Sequence, residues 1–322
     1  MRDFNKLLTI LIPTKNRFSF IKRQLTFYYD IGFSGYIFIG DSSNLKVSDQ
    51  IQKLCNSYSN KLKTKYFYCP NLDEANTTRK LVNSIKTPYG VWVGDDDFLI
   101  PEGLRKCINF LEKNNKFHAA HGNGIGIKKE KRSFPNLSIF KYYQPNIFGE
   151  RAIERLEKYL KSPGDVHYSV HRVSSLKKMY NSANKIKEHL LVAGEMPCLI
   201  SVIIGNIKCL PCYSLVRGMH DERYYGGTLI TRMMKPIWSE SIKNLHNILL
   251  KEIIKNSSFN QKITKEYLNN FLHKRLLEDP NKGLQKFLRN KILSRYFKLK
   301  YFLKLSFSLW SKEIYAVIKL IK

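Results

Sequence analysis

Apolar residues in the first hundred positions fall in short unbroken runs rather than in alternation. Leu7-Leu8-Thr9-Ile10-Leu11-Ile12 stops at Pro13, Tyr36-Ile37-Phe38-Ile39 lies between Gly35 and Gly40, and Tyr89 to Gly94 encloses Val91-Trp92-Val93. Runs of this length and β-branched character predict strands buried on both faces, the habit of a parallel sheet. Between them the spacing predicts helices over 18–29, 48–60 and 74–85, with a further strand over 65–69. A helix over 101–114 and a strand from His118 continue the alternation. Such βαβα order argues for a doubly wound sheet, in which ligands bind beyond the carboxyl ends of the strands. Polar clusters follow Ile12, Ile39 and Val93, so all three are expected at one edge, where they make a site.

Farther on the pattern loosens. Residues 134–148, aromatic and punctuated by Asn and Pro, read as an excursion rather than a central strand. Helical periodicity returns over 152–160 and 174–186, with strand-like stretches at 168–170 and 210–216, and everything after Ile237 reads as helix. The expected organisation is a sheet domain over 1–236 and a basic helical extension over 237–322, with no internal repeat.

The run Asp95-Asp96-Asp97 is the most informative local feature. Three adjacent carboxylates at the mouth of a buried strand repel one another, and a divalent cation would relieve that repulsion. Oxygen donors suit Mg²⁺ or Mn²⁺, which in turn bridge a diphosphate. The plainer reading is an acidic turn favoured by the dipole of the helix that follows. Its place at a strand mouth favours the metal.

Charge narrows the partners without choosing among them. The 322 residues hold 55 Lys and Arg against 26 Asp and Glu, a formal +29, which attracts nucleic acid, anionic lipid or phosphorylated substrates. The excess is densest over 282–322, where aromatic and aliphatic residues interleave with the basic ones. That stretch suits either an interfacial helix on an anionic membrane or a helix packed on the domain. No apolar run of membrane-spanning length and no signal-peptide pattern is evident, and six scattered cysteines fit a reducing compartment, so a cytoplasmic protein is expected, with peripheral contact at the inner face of the cell membrane. Cys209-Leu210-Pro211-Cys212 has the spacing of half a zinc site, but it stands alone in an apolar run and reads as core. His118 and His121 read as structural. Neither a Gly-Lys-Ser/Thr phosphate loop nor a dinucleotide fingerprint occurs, which removes support for kinases and dehydrogenases.

Taken together, Ile10 to Arg17, Ile39-Gly40-Asp41-Ser42-Ser43, Thr87-Pro88-Tyr89 and Val93 to Pro101 resemble the family-2 type of GT-A glycosyltransferase, in order and spacing, over roughly residues 7–225. The similarity is greatest to a bacterial subgroup with Asp-Ser-Ser and Asp-Asp-Asp-Phe motifs. The resemblance implies a GT-A fold, Rossmann-like with a doubly wound and mostly parallel sheet, a nucleotide-sugar donor and a Mn²⁺ or Mg²⁺ cofactor. It places Pro13, Thr14, Asn16 and Arg17 in the first nucleotide-binding loop, Asp41 on the base, Arg79 near the nucleotide and Asp95 on the ribose side. Asp96 falls on the family's second metal-motif aspartate, with Asp97 beside it, whereas Gly94 stands where the family has its first.

An inverting reaction also needs a carboxylate to deprotonate the acceptor hydroxyl. Glu195, an isolated acid in the apolar stretch Ala193 to Pro197, is the candidate, against a plain helix-start acid. The resemblance makes His220 a third metal ligand and Arg217 a diphosphate contact, while Tyr168 to Arg172 either lines the acceptor side or forms a strand with an outward basic pair. The expected activity is sugar transfer to a glycan or lipid-linked acceptor in cell-surface polysaccharide synthesis. Two rivals remain: a nucleotidyltransferase of related fold, which normally has a glycine-rich first loop that Pro13 to Arg17 lacks, and a basic nucleic-acid-binding protein, in which three carboxylates would repel phosphate.

Overall fold

A computed structural model describes residues 6–129, 137–182, 186–187, 191–219, 234–256, 261–276 and 312–321. The N-terminal half follows the expected alternation: β1 (Leu8–Thr14), α1 (Phe18–Asp30), β2 (Tyr36–Asp41), α2 (Leu45–Ser57), β3 (Lys63–Tyr68), α3 (Glu74–Asn83) and β4 (Tyr89–Trp92). β1 pairs in parallel with β2 and β4, and β2 with β3. Every residue of β1 and β4 is buried, which is why their sequences run apolar without alternation. Ile10, Leu11, Ile12, Ile37, Ile39 and Val91 are wholly buried, each stabilising the fold by roughly 1.5–3 kcal/mol.

The second half is mixed. After β5 (Phe98–Leu99) and α4 (Pro101–Lys113) come the long β6 (Phe117–Lys129), β7 (Leu137–Tyr142), α5 (Ala152–Lys161), a 3₁₀ turn over Val166–Tyr168, β8 (Val170–Arg172) and α6 (Val173–Asn181). A π turn over Leu191–Glu195 leads into α7 (Met196–Ile204) and then β9 (Asn206–Met219). The described residues form one nine-stranded sheet in the order β3-β2-β1-β4-β8-β6-β9-β5, with β7 added to β6. The ladder is parallel from β3 to β4 and between β6 and β9; β8 joins the halves by antiparallel pairs.

The segment read as an excursion thus contains a strand, β7, antiparallel to β6. Its Pro and Asn residues flank the pairing instead of interrupting it. The stretch Tyr168 to Arg172 has no outward basic pair. His171 is fully buried, with Nδ1 donating to Ser169 O (2.7 Å) and Nε2 3.1 Å from Ser201 Oγ, while Arg172 donates to the carbonyls of Phe117 and Leu111. Cys209 and Cys212 are only half-buried, where a core position was expected. His118 and His121 are buried as expected of structural residues.

Helix α4 lies almost on the backbone of β9: a Cβ at Gly103 would sit 2.0 Å from Tyr213 O, so only glycine fits that helical position. Arg155 of α5 is buried and donates to Val202 O (2.8 Å) and Ile203 O (2.6 Å), closing the C-terminus of α7, and to Gly149 O and Glu150 O.

Beyond the sheet, α8 (Pro236–Lys255) buries Trp238, Leu245, Leu249 and Ile253 as one stripe and packs on α7 and the π turn. α9 (Gln261–Leu276) packs on α8. α10 (Lys312–Ile321) returns to the sheet, packing on α1, β6 and β9 through buried Ile314, Val317 and Ile318. Its Glu313 accepts from the Glu102 N–H at 3.3 and 3.4 Å, capping the first turn of α4. This end of the basic tail packs on the domain. Residues 277–311 lie outside the described residues, and no described helix is long and apolar enough to cross a membrane.

Candidate active site

The carboxyl ends of β1, β2 and β4 open into a cleft of about 440 Å³ whose lining includes Pro13, Thr14, Arg17, Ser42, the three aspartates and Arg217. Its position is the one open parallel sheets give to ligands. Trp92 and Tyr168 form one wall, and Glu74 and Thr77 of α3 stand at another.

The three aspartates have divided their environments. Asp95 accepts from Thr14 Oγ1 (2.7 Å) and pairs with Arg17 Nη1. Asp97 accepts from the Gly218 N–H (3.0 Å) on Oδ1 and from Tyr168 OH (2.6 Å) on Oδ2, with Arg217 Nε at 3.4 Å. Their side chains are 6% and 3% exposed, whereas that of Asp96 is 27% exposed, with Arg17 Nη2 at 3.3 Å. Asp96 is the most exposed of the three carboxylates that line the cleft. Gln24 holds the bend, its amide donating to Gly94 O and Asp97 O. Arg217 is held from its far side by Asp165 at 2.6 Å.

Asn16 takes a left-handed conformation (φ 57°) that lets its N–H donate to Ser43 Oγ (2.6 Å) and its side chain accept from Asn44 N (3.0 Å). The two strand-end loops are thereby stitched together. Asp41 is fully buried beneath them, accepting from Ser43 N and Tyr66 OH, both at 2.8 Å.

The structure thus brings together Pro13, Thr14, Arg17, Asp95, Asp96, Asp97 and Arg217 of the expected set. Asn16 and Asp41 support the loops behind them, and Arg79 is half-buried on α3 outside the lining. Glu195 ends the π turn, which packs against α3 and α7, and it too stands outside the lining. His220 lies outside the described residues.

Gln24, Trp92 and Asp165 were missed. Gln24 left a readable signal, because it interrupts the apolar stripe Ile21, Leu25 and Tyr28 at helical spacing, and a polar residue there needs partners. Trp92 passed as an ordinary core residue of its strand, and Asp165 lies in a turn whose partner is 52 residues away.

A divalent cation suits the oxygen donors present. Three carboxylates share one bend, Asp96 offers oxygens to the cleft, and Asp97 stands behind it. Among the described residues no group of three His, Cys, Asp or Glu side chains converges as a complete ligand set. Oxygens of a bound ligand and water would therefore fill positions that protein atoms do not.

Burial raises Asp95 and Asp97 to about 7, with the Asp96 charge adding to the rise in both. Burial also lowers His118 to about 3, His121 and His167 to about 4, and His171 well below its ordinary value. The two sets act oppositely. Unfolded histidines protonate near 6.5 while the folded ones stay neutral, so their contribution to stability is lost as pH falls from about 6.5 to 4. Folded Asp95 and Asp97 take up protons below 7 that the unfolded chain binds only near 3.8, which adds stability over the same range. With four groups against two, the urea midpoint of the metal-free chain is expected to be lower at pH 5 than at pH 7.5. The drop should steepen in Asp95→Asn, which removes one opposing group; a midpoint that rose on acidification would contradict this account.

Residues 9–180, more than half of the chain, match the family model for glycosyl transferase family 2. The chain belongs to that family, and its mixed α/β fold around a mostly parallel sheet is that of a GT-A glycosyltransferase. Among solved structures it is similar to residues 1–349 of S. aureus TarS in complex with UDP-GlcNAc, with a TM-score of 0.54 and 14% identity over 86% of this chain and 74% of that one. It is also similar to the structure of TarS 1–349 described without a ligand, with a TM-score of 0.52 and 14% identity over 97% and 78% of the two chains. At that identity the likeness speaks for the fold alone. No curated protein matches the chain by sequence comparison. Family membership decides for glycosyl transfer over the nucleotidyltransferase and nucleic-acid-binding readings.

Proposed function

We propose that the chain is a metal-dependent, inverting glycosyltransferase that takes its sugar from a nucleotide-sugar donor and passes it to a glycan or lipid-linked acceptor in cell-surface polysaccharide synthesis. The observation that carries this reading is Asp96: one solvent-facing carboxylate between two buried ones, with Arg17 and Arg217 on either side. The first-loop end, with Pro13, Thr14 and Ser42 in the cleft lining, is the proposed nucleoside side, and the neighbour TarS is a protein described in complex with UDP-GlcNAc. Asp95 lies on the ribose side, and Asp41 and Asn16 hold the loops in register.

Bound Mn²⁺ or Mg²⁺ would neutralise charge developing on the diphosphate leaving group. Asp96 would hold it, with Asp97 behind and His220 as a further ligand. Arg17 and Arg217 already stand against carboxylates, so their charge is fixed in the cleft before the donor arrives, which lowers the reorganisation needed as the glycosidic bond breaks. Glu195 is the proposed base for the acceptor hydroxyl, and its Oε1 is shielded from solvent. Arg79, half-buried on α3, is the proposed further basic residue near the nucleotide. The basic and aromatic composition of residues 282–322 is the proposed basis for contact with an anionic membrane.

A thermal-shift panel tests the reading. Nucleoside diphosphates and their sugars are added with and without Mn²⁺. At a hundredfold excess over Kd a true ligand adds about 2.7 kcal/mol, so the matching nucleotide is expected to raise Tm by roughly 3–5 °C, and only with the metal present. If no nucleotide moves the transition in either condition, the donor reading is overturned.

A further inference from the structure

One exposed aromatic ring lies at the rim of this cleft with no part in the chemistry above. Phe140 of β7 is 40% exposed. Across the ladder it stands opposite Gly126 of β6, and Gly126 stands opposite Arg217 of β9. Paired residues project to the same face of a sheet, so Phe140, the bare backbone of Gly126 and the Arg217 side chain follow one another across that face. A Cβ at Gly126 would meet Phe140 Cζ at 2.2 Å, so the tip of the ring lies over the glycine, on the face that also carries Arg217. One rung on, Ser138, Lys128 and Met219 face the same way, with Lys128 exposed and Met219 in the cleft lining. The cleft wall formed by Tyr168 and Arg217 therefore continues outward as an aromatic surface with a cation beside it.

This surface leaves the cleft at the end away from Pro13, Thr14 and Ser42. An exposed aromatic on a strand that pairs on one side only among the described residues is a hazard unless something uses it. A sugar ring is the matching shape, with C–H groups on one face to lie on the aromatic ring and hydroxyls at its rim to meet Lys128 and water. We propose that Phe140 is an acceptor platform: a sugar residue of the glycan acceptor stacks on its ring and is thereby aligned with the cleft beside Arg217. This rests on the donor reading given above, and it names the chemistry of the second substrate, a saccharide held by ring stacking, rather than a lipid held by its chain.

Saturation-transfer difference NMR on the full chain tests it, with methyl β-glucoside, methyl β-galactoside and methyl N-acetyl-β-glucosaminide as probes. At least one is expected to receive saturation from the wild type, to bind at least about fivefold more weakly to Phe140→Ala, and to be retained by Phe140→Trp. The ring is exposed and lies over a glycine, so both variants should fold. UDP and GDP titrations on the same samples should be unaffected, because Phe140 is remote from the first loop. Equal saturation in wild type and Phe140→Ala, or none from any probe in a wild type that still binds nucleotide, overturns the proposal. Failure of both nucleotides on the wild type would overturn the donor reading instead.

Discussion

Asp96→Asn is expected to reduce sugar transfer by roughly 10²–10³-fold, the range for losing one group that stabilises charge in the transition state, while the protein melts no lower than the wild type. Both halves of the result follow from the environment of this one carboxylate. It is the most exposed aspartate of the run, so its removal strips the charge offered to a cation without opening a hole in the core. Its charge also pushes the protonation of Asp95 and Asp97 upward, and the amide relieves that repulsion. Asp97→Ala makes the contrast: it leaves Tyr168 OH and the Gly218 N–H without the acceptor they share, and should lower Tm as well as activity. Turnover of the donor identified by the thermal-shift panel, measured beside the melting curves, checks both. An Asp96→Asn enzyme within tenfold of wild type would remove the acidic bend from the mechanism.

Arg155→Met is expected to be the most damaging substitution for stability, at roughly 3–5 kcal/mol, which lowers Tm by about 4–7 °C in a chain of this size. The methionine fills much of the volume of the arginine stem, so the loss isolates the guanidinium. Four carbonyls depend on it: Val202 and Ile203 at the end of α7, and Gly149 and Glu150 before α5. A helix end buried without donors costs the desolvation of each carbonyl left bare. Arg155→Lys keeps the charge but offers a single point donor in place of the planar fork, so it should fall between the two. Thermal or urea unfolding separates the three proteins; a methionine variant within 1 kcal/mol of wild type would mean that water serves those carbonyls instead.

The parallel half of the fold was legible because it obeys one rule. β1, β2 and β4 are buried on both faces, so their sequences carry unbroken apolar runs, and the polar residues that end them fall on one edge by topology alone. The second half obeys local rules less. β9 carries Pro211 within a strand whose register with β6 shifts twice around that point, so the readable stretch, 210–216, was only the middle of fourteen residues. β7 was masked by the prolines around it and by Phe140, whose exposure breaks the in-and-out pattern of a covered strand.

At the site, the acidic run and the first loop could be found because their chemistry is concentrated in adjacent residues. Their partners could not. Tyr168, Gly218 and Asp165 reach the cleft from turns and strands whose positions depend on long-range pairing, with 71, 121 and 52 residues between bonded atoms. A buried histidine such as His171 looks like a surface base in sequence, because its neighbours Ser169 and Arg172 are polar. Burial is a property of the assembled sheet, and a local window does not contain it.

The contact between α10 and the start of α4 has a bearing on how the chain is made. Glu102 receives its cap from Glu313, 211 residues later, and α1 is covered by the same late helix. During synthesis the parallel sheet emerges with that flank bare, its apolar surface open to chaperones until residues 312–321 arrive. Completion of the sheet's covering is thus tied in time to a segment that adds no strand to it. A ribosome that stops short would release a sheet that is nearly whole but still adhesive, a substrate for quality control before it is an enzyme.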